Sequence, residues 1–101
     1  MLNEGLEVLG TDELTPEGKR YPGVFEKSGL RNVVFPSTLK RIEYNAFREC
    51  EKLKFITLPS SLKTIEEDAF YQCKRLKRIS LPEKLEKIAR FAFYETVLEN
   101  V

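Results

Sequence analysis

Histidine and tryptophan are both absent from this chain of 101 residues, and only two cysteines are present. The lack of histidine removes the commonest general base, proton shuttle and metal ligand found in proteins. Two cysteines cannot complete a closed zinc site by themselves. The composition therefore disfavours an enzyme, and we predict no catalytic residue, no metal site, no cofactor and no small-molecule substrate.

The sequence also lacks long apolar runs and an excess of either charge. No apolar stretch approaches the roughly 18 residues of a membrane span. The opening MLNEGLEVLG has neither the basic nor the apolar region of a signal peptide. Seventeen basic and sixteen acidic residues leave a formal charge of +1. We therefore expect no membrane span and no global field that would attract nucleic acid or an anionic membrane.

A repeat of 23 residues runs through the chain. Apolar residues that recur at one long interval indicate a stack of similar coils, because each coil needs a neighbour to bury its hydrophobic side. The repeated positions include Pro36, Pro59 and Pro82; Leu39, Leu62 and Leu85; Ile42, Ile65 and Ile88; Ala46, Ala69 and Ala92; Phe47, Phe70 and Phe93; and Cys50 and Cys73.

Each coil contains one segment with strand-like alternation. In LKFITLP, inward Ile56 and Leu58 alternate with outward Phe55 and Thr57. Pro59 ends the segment, because proline cannot donate to a strand ladder. The period then predicts strand cores near 33–35, 56–58 and 79–81. The predicted core is Leu30, Val33, Phe35, Leu39, Ile42, Ala46 and Phe47, with their equivalents one and two periods later.

The whole chain, 1–101, is predicted to be a single repeat domain. Residues 1–10 form a partial N-terminal coil, because Leu6–Leu9 matches Leu39–Ile42. Residues 11–22 are a polar inserted loop, and 23–101 are the repeats. The last strand begins just before Val101 and has no cap. We therefore expect a fragment of a longer array, or end-to-end self-association at the C-terminal strand.

The repeating unit L-x-x-I-x-L-P-x-x-L-x-x-I-x-x-x-A-F-x-x-C-x-x resembles the BspA-like leucine-rich repeat family. The resemblance covers about four-fifths of the chain and fades before residue 23. It implies an α/β-type repeat, mostly β and irregular: a right-handed leucine-rich repeat solenoid of about three and a half coils, with a short parallel β-ladder on its concave side. It also implies surface or secreted proteins that adhere to host or matrix proteins.

The outward strand positions form the predicted binding face. One column contains Asn32, Phe55, Arg78 and Asn100, and the next contains Val34, Thr57 and Ser80. An exposed aromatic beside an arginine is typical of interface anchors. Three strands ~4.8 Å apart give on the order of 150 Å², whereas a stable interface needs about 800 Å² per side. The face should therefore act as part of a larger surface.

Other clusters have simpler explanations. The basic run 74–78 (KRLKR) is interpreted as a solvated rim, because its side chains need not share a face and the acidic run 66–68 offsets its charge. Glu43, Glu66, Glu67 and Asp68 are interpreted as solvated carboxylates. Cys50 and Cys73 are interpreted as reduced, buried thiols, because stacked equivalent side chains point the same way and disfavour a relaxed disulfide.

The predicted function is non-catalytic recognition of a protein ligand by a cell-surface or secreted adhesin or receptor-like array. One alternative is a polyanion or nucleic-acid binder that uses 74–78, and nucleic acid is the less favoured partner. This alternative predicts affinity that falls steeply with salt, whereas protein recognition predicts a weak salt dependence dominated by Phe55. A purely structural spacer is the second alternative.

Overall fold

The three-dimensional structure is a computed structural model that describes residues 4–98. Within that range the chain contains six short parallel strands and no helix, with turns and irregular segments between the strands. The strands are Val8–Leu9 (β1), Arg41–Ile42 (β2), Phe55–Thr57 (β3), Thr64–Ile65 (β4), Arg78–Ser80 (β5) and Lys87–Ile88 (β6).

The larger sheet has the order β1-β2-β4-β6, and all its strand pairs are parallel. Ile42 pairs with Ile65, and Ile65 pairs with Ile88, so one period of the sequence is one step across the sheet. Leu9 pairs with Ile42 in the register that the Leu6–Leu9 alignment predicts. The 23-residue period predicts the inward residues of this sheet but does not predict that they form strands.

The smaller sheet pairs β3 with β5, with Ile56 opposite Ile79. These strands begin and end one residue earlier than the predicted cores 56–58 and 79–81. The predicted strand at 33–35 is wrong: within the described residues, no main-chain hydrogen bond joins it to 56–58. Two differences accompany this loss. The preceding turn is one residue shorter, and the bulkier Phe35 packs edge-on against Phe47, with ring centroids 5.8 Å apart.

A third set of main-chain hydrogen bonds stacks the turns. The amides of Phe25, Phe47 and Phe70 donate to carbonyls of the next coil at 2.7–2.8 Å. These turns contain left-handed residues at a 23-residue spacing: Asn45, Asp68 and Phe91, and then Glu49, Gln72 and Glu95, all with φ between 55° and 62°. Asparagine and aspartate tolerate this conformation, whereas a bulky residue such as phenylalanine rarely adopts it.

The core is a column of equivalent side chains from successive coils. The rings of Phe25, Phe47, Phe70 and Phe93 stack with centroids 5.1–5.4 Å apart. All the predicted core residues of the central coil are buried, from Leu53 to Phe70. This arrangement confirms the solenoid interpretation, because a compact bundle would have separated the phenylalanines.

Burial declines in the outer coils. Leu30, Val33 and Phe35 are only partly buried. Leu81 is 41% exposed and Ile88 is 45% exposed, so their assignment to the core was wrong. The reason is that β5 and β6 each have only one neighbouring strand among the described residues, so side chains near their open edges are less covered.

Candidate functional site

The outward face of β3 and β5 presents four of the predicted binding residues in register. Phe55 lies opposite Arg78, and Thr57 lies opposite Ser80, while Ile56 and Ile79 between them point into the core. Phe55 is 54% exposed. The guanidinium carbon of Arg78 lies 6.0 Å from the Phe55 ring centroid, at the outer limit of a cation–π contact.

The remaining predicted binding residues do not lie on the strands β3 and β5. Asn32 is exposed and lines one depression together with Phe55. Val34 is exposed, but it lies in the irregular segment and not in a strand. Asn100 lies outside the described residues, and so does the predicted strand end at Val101. The ladder face is therefore two strands wide, and Asn32 adjoins it from the preceding coil.

Six basic residues line two adjoining depressions beside Phe55, and we call them the basic collar. A shallow depression of about 420 Å³ on one side of Phe55 is lined by Arg31, Lys52, Lys54 and Arg75. An adjoining depression is lined by Lys54, Lys74, Arg75 and Lys77, with Val97 at its edge. No carboxylate lines either depression. The collar thus consists of Arg31, Lys52, Lys54, Lys74, Arg75 and Lys77.

The charged residues of 74–78 are exposed, as the solvated-rim interpretation predicts, but three of them share one surface. Lys74, Arg75 and Lys77 share one depression with Phe55. In the acidic run 66–68, Glu66 bonds to Lys87 and Asp68 to Arg48, and the exposed Glu67 does not line this depression. A signal for the collar was present in the sequence: Arg31, Lys54 and Lys77 follow the 23-residue period, as do Lys52 and Arg75.

Two of the carboxylates expected to be solvated are buried instead. Glu43 is 1% exposed and accepts hydrogen bonds from Arg41 at 3.0 and 3.2 Å. Burial raises the pKa of the Glu43 carboxyl, and Arg41 opposes this shift without cancelling it. Glu66 accepts a 3.0 Å hydrogen bond from Lys87, which raises the pKa of that ammonium.

The other two carboxylates differ from each other. Glu67 is exposed, as predicted. Asp68 is half-buried and lies 3.5 Å from Arg48, and its burial raises the pKa of its carboxyl. The buried carboxylates are held by cations on the sheet or in the turns, and neither Glu43 nor Glu66 lines a depression around Phe55.

The two thiols are buried and free, as the stacking geometry predicts. Cys50 Sγ donates to the Phe25 carbonyl at 3.0 Å, and Cys73 Sγ donates to the Phe47 carbonyl at 3.1 Å. Burial raises the pKa of both thiols, that of Cys73 to about 12. Each thiol therefore bonds one coil to the preceding one and is poorly suited to act as a nucleophile.

Segment 11–22 folds against the larger sheet. The guanidinium carbon of Arg20 lies 3.5 Å from the Tyr44 ring centroid, and Asp12 lies 3.7 Å from Arg41. No residue of this segment lines the depressions around Phe55. It therefore adds no area to the face of β3 and β5.

Between residues 4 and 98 there is no helix with the length and apolarity to cross a membrane. The same residues contain no group of three or more cysteine, aspartate or glutamate side chains placed to hold a metal ion.

Stacked 23-residue coils with parallel ladders and a shared phenylalanine column define a leucine-rich repeat protein. The family model for the BspA type leucine-rich repeat region matches residues 21–101, in six copies. The chain therefore belongs to the BspA-type leucine-rich repeat family. Leucine-rich repeats are generally non-enzymatic modules that mediate protein interactions.

The fold is also similar to a solved leucine-rich repeat protein from Eubacterium ventriosum ATCC 27560. The two are 29% identical, the TM-score is 0.55, and the match covers 73% of this chain. The match spans only 24% of that protein, so this chain corresponds to about a quarter of its length. No curated protein matched the chain.

Proposed function

We propose that the chain is a non-catalytic protein-binding module whose recognition surface is the outward face of β3 and β5. The observation that carries this proposal is the exposed Phe55, which lies beside Arg78 on a rigid ladder. A large aromatic held on a sheet loses little conformational entropy on binding, so it is suited to anchor an interface. Asn32, Val34, Thr57, Ser80 and Asn100 are proposed to complete this surface.

We further propose that residues 1–101 are one repeat domain within a longer array. The small area of the two-strand face favours this, because a stable interface needs about 800 Å² per partner. By analogy with the family, the parent protein is an adhesin or receptor at the cell surface or in secreted form, and its ligand is a host or matrix protein.

The binding proposal can be tested with surface plasmon resonance. The full chain is passed over a panel of purified extracellular-matrix and serum proteins, and any binder is retested with Phe55→Ala and Arg78→Ala. We expect Phe55→Ala to weaken binding at least tenfold, whereas Val24→Ala, an exposed apolar residue outside the face, should leave it unchanged. If binding survives Phe55→Ala, the proposed surface is wrong.

The two alternatives make different predictions. A polyanion binder would hold a sulfated oligosaccharide or single-stranded DNA equally well with Phe55→Ala, because charge alone would carry the affinity. A structural spacer would bind nothing on the panel, and no substitution on the outward face would change any interaction.

Self-association at the C-terminal end has a separate test. Ile88 is half-exposed on the edge strand β6, and an edge strand can pair with a further strand. We expect a concentration-dependent increase in mass in sedimentation equilibrium, which Ile88→Lys abolishes and Val24→Lys does not. A monomer at all concentrations would overturn this proposal.

A further inference from the structure

The basic collar is a local concentration of positive charge in a chain whose total charge is nearly neutral. Four cations outside the collar have carboxylate partners among the described residues, for example Arg41 with Glu43 and Lys87 with Glu66, whereas others such as Lys40 and Lys84 form no ion pair there. The six residues of the basic collar form no ion pair among the described residues. The collar residue Lys52 also lines a separate depression, which contains Glu49 and Glu51 together with Lys27.

The collar also stacks like charges in neighbouring coils. Lys77 donates its amide to the Lys54 carbonyl at 2.8 Å, so these two lysines are adjacent along the stack. Arg31 lies one period earlier and shares a depression with Lys54. Like charges on adjacent stacked segments repel each other. A bound anionic group would relieve this repulsion, and the collar therefore has the electrostatic character of a site for a negatively charged partner.

Phe55 distinguishes between the kinds of anionic partner. The collar lies beside one exposed aromatic ring, and Val97 is the other apolar side chain at the rim. Nucleic-acid grooves present several aromatic rings on which successive bases stack. A single ring with cations along one side instead matches a polypeptide with one apolar or aromatic residue flanked by carboxylates.

We propose that the basic collar and Phe55 together bind an acidic polypeptide segment, in which one aromatic or large aliphatic side chain packs on Phe55 and the flanking carboxylates contact the collar. This proposal depends on the proposed function, since it names the chemistry of the protein ligand. It also changes the expectation about salt. Because the Phe55 face is itself basic, protein recognition here is salt-sensitive, and salt dependence alone does not separate it from polyanion binding.

The proposal can be tested by fluorescence polarisation with the full chain and synthetic probes. The main probe is a labelled peptide of glutamate and aspartate with one central phenylalanine. A second peptide replaces that phenylalanine by alanine, and a third replaces the carboxylates by amides. A sulfated oligosaccharide and single-stranded DNA serve as non-protein polyanions.

The protein variants separate the contribution of the collar charges to binding from the contribution of the Phe55 ring. Lys54→Ala/Lys77→Ala removes two collar charges, and Lys40→Ala/Lys84→Ala removes two exposed lysines outside both depressions. We expect Lys54→Ala/Lys77→Ala and Phe55→Ala each to weaken the affinity for the main probe at least tenfold. The control variant should change that affinity less than twofold. Thermal melts establish that the variants remain folded.

Three outcomes would overturn the proposal. Binding that is equal with and without the peptide phenylalanine would show that Phe55 is not used. Tighter, lysine-dependent binding of the oligosaccharide or DNA would assign the collar to a non-protein polyanion. The third outcome is a matrix-panel protein whose binding is lost with Phe55→Ala but is unaffected by salt or by Lys54→Ala/Lys77→Ala. This result would leave the proposed function intact and refute only the acidic partner.

Discussion

At the scale of single residues, Glu43 combines burial and charge most directly. Its carboxylate is 1% exposed, and Arg41 provides its ion pair while remaining partly in solvent. Burying a charged group is costly even when it is paired. The balance in the folded state favours the protonated form, so the pKa is raised above its ordinary value of 4.5.

This shift predicts a specific dependence of stability on pH. In the window just above pH 4.5 the folded state binds more protons at Glu43 than the unfolded state, so this residue's contribution to stability falls as pH rises through the window. In urea denaturation, the native chain should therefore gain stability relative to Glu43→Gln as the solution is acidified. The exposed Glu67→Gln serves as the control, and a relative loss on acidification would contradict the shift.

The two thiols give a second prediction at this scale. Since Cys73 has a pKa of about 12 and both cysteines are buried, almost no thiolate is present near neutral pH. Neither residue should react with a thiol reagent in the native chain, and both should react at once in guanidinium. Rapid reaction of the folded protein would contradict the buried ladder of thiol hydrogen bonds.

At the scale of the element, the tight turns show a local conflict between residue type and backbone conformation. Asn45, Asp68 and Phe91 occupy the same left-handed position in successive turns. The first two residues suit that conformation, because a short polar side chain bonds locally, but phenylalanine does not. Phe91 is therefore a point of stored strain, compensated by its contact with the Tyr94 ring at 5.3 Å between centroids.

Replacing Phe91 should relieve this strain. We expect Phe91→Asn to raise the free energy of unfolding by about 0.5–1 kcal/mol, since the left-handed conformation costs a bulky residue roughly 1–2 kcal/mol and some aromatic contact is lost. The reverse change, Asn45→Phe, should destabilise the chain by a similar amount or more. Denaturant titration measures both, and a destabilised Phe91→Asn would show that the ring packing dominates.

The strands show that the 23-residue period can be correct while the strand segments predicted from it are not. The alternation in LKFITLP correctly predicts which side chains of β3 face inward. The equivalent segment 33–35 has similar alternation but forms no ladder, because a strand also needs a neighbour at hydrogen-bonding distance. A larger ring at Phe35 and a shorter turn before Leu30 affect that distance, and neither effect is local to the strand residues.

At the scale of the whole molecule, stability depends on the continuity of the phenylalanine column. Phe70 has a stacked ring on each side, at 5.1 and 5.3 Å. Phe70→Ala should cost roughly 3–5 kcal/mol, from lost burial and the cavity that remains. Leu81→Ala, at an equally apolar but half-exposed position, should cost less than about 1 kcal/mol. Urea denaturation compares the two variants, and equal costs would contradict the graded burial along the stack.

The same stacking creates the basic collar. Arg31, Lys54 and Lys77 are separated in sequence by 23 residues each, and the coil brings them to one surface beside Phe55. In the sequence, the basic run KRLKR lies near the acidic run 66–68, which suggests that the two charges offset each other. In the folded chain Glu66 and Asp68 pair with other cations, and no carboxylate lines the two depressions beside Phe55, so the stacking of the coils sets the local charge.

The sequence by itself determined the repeat length, the solenoid class and the inward residues of the central coil, because a fixed apolar period allows only a stack in which equivalent residues superimpose. It also identified Phe55 and Arg78 as neighbours on an outward face. Only the tertiary structure decided the burial of Glu43 and Glu66, the loss of the ladder at 33–35, the exposure of Leu81 and Ile88, and the gathering of cations beside Phe55. Each of these features depends on which side chains of the adjacent coil lie beside a residue. A residue's position within the 23-residue period does not determine those neighbours.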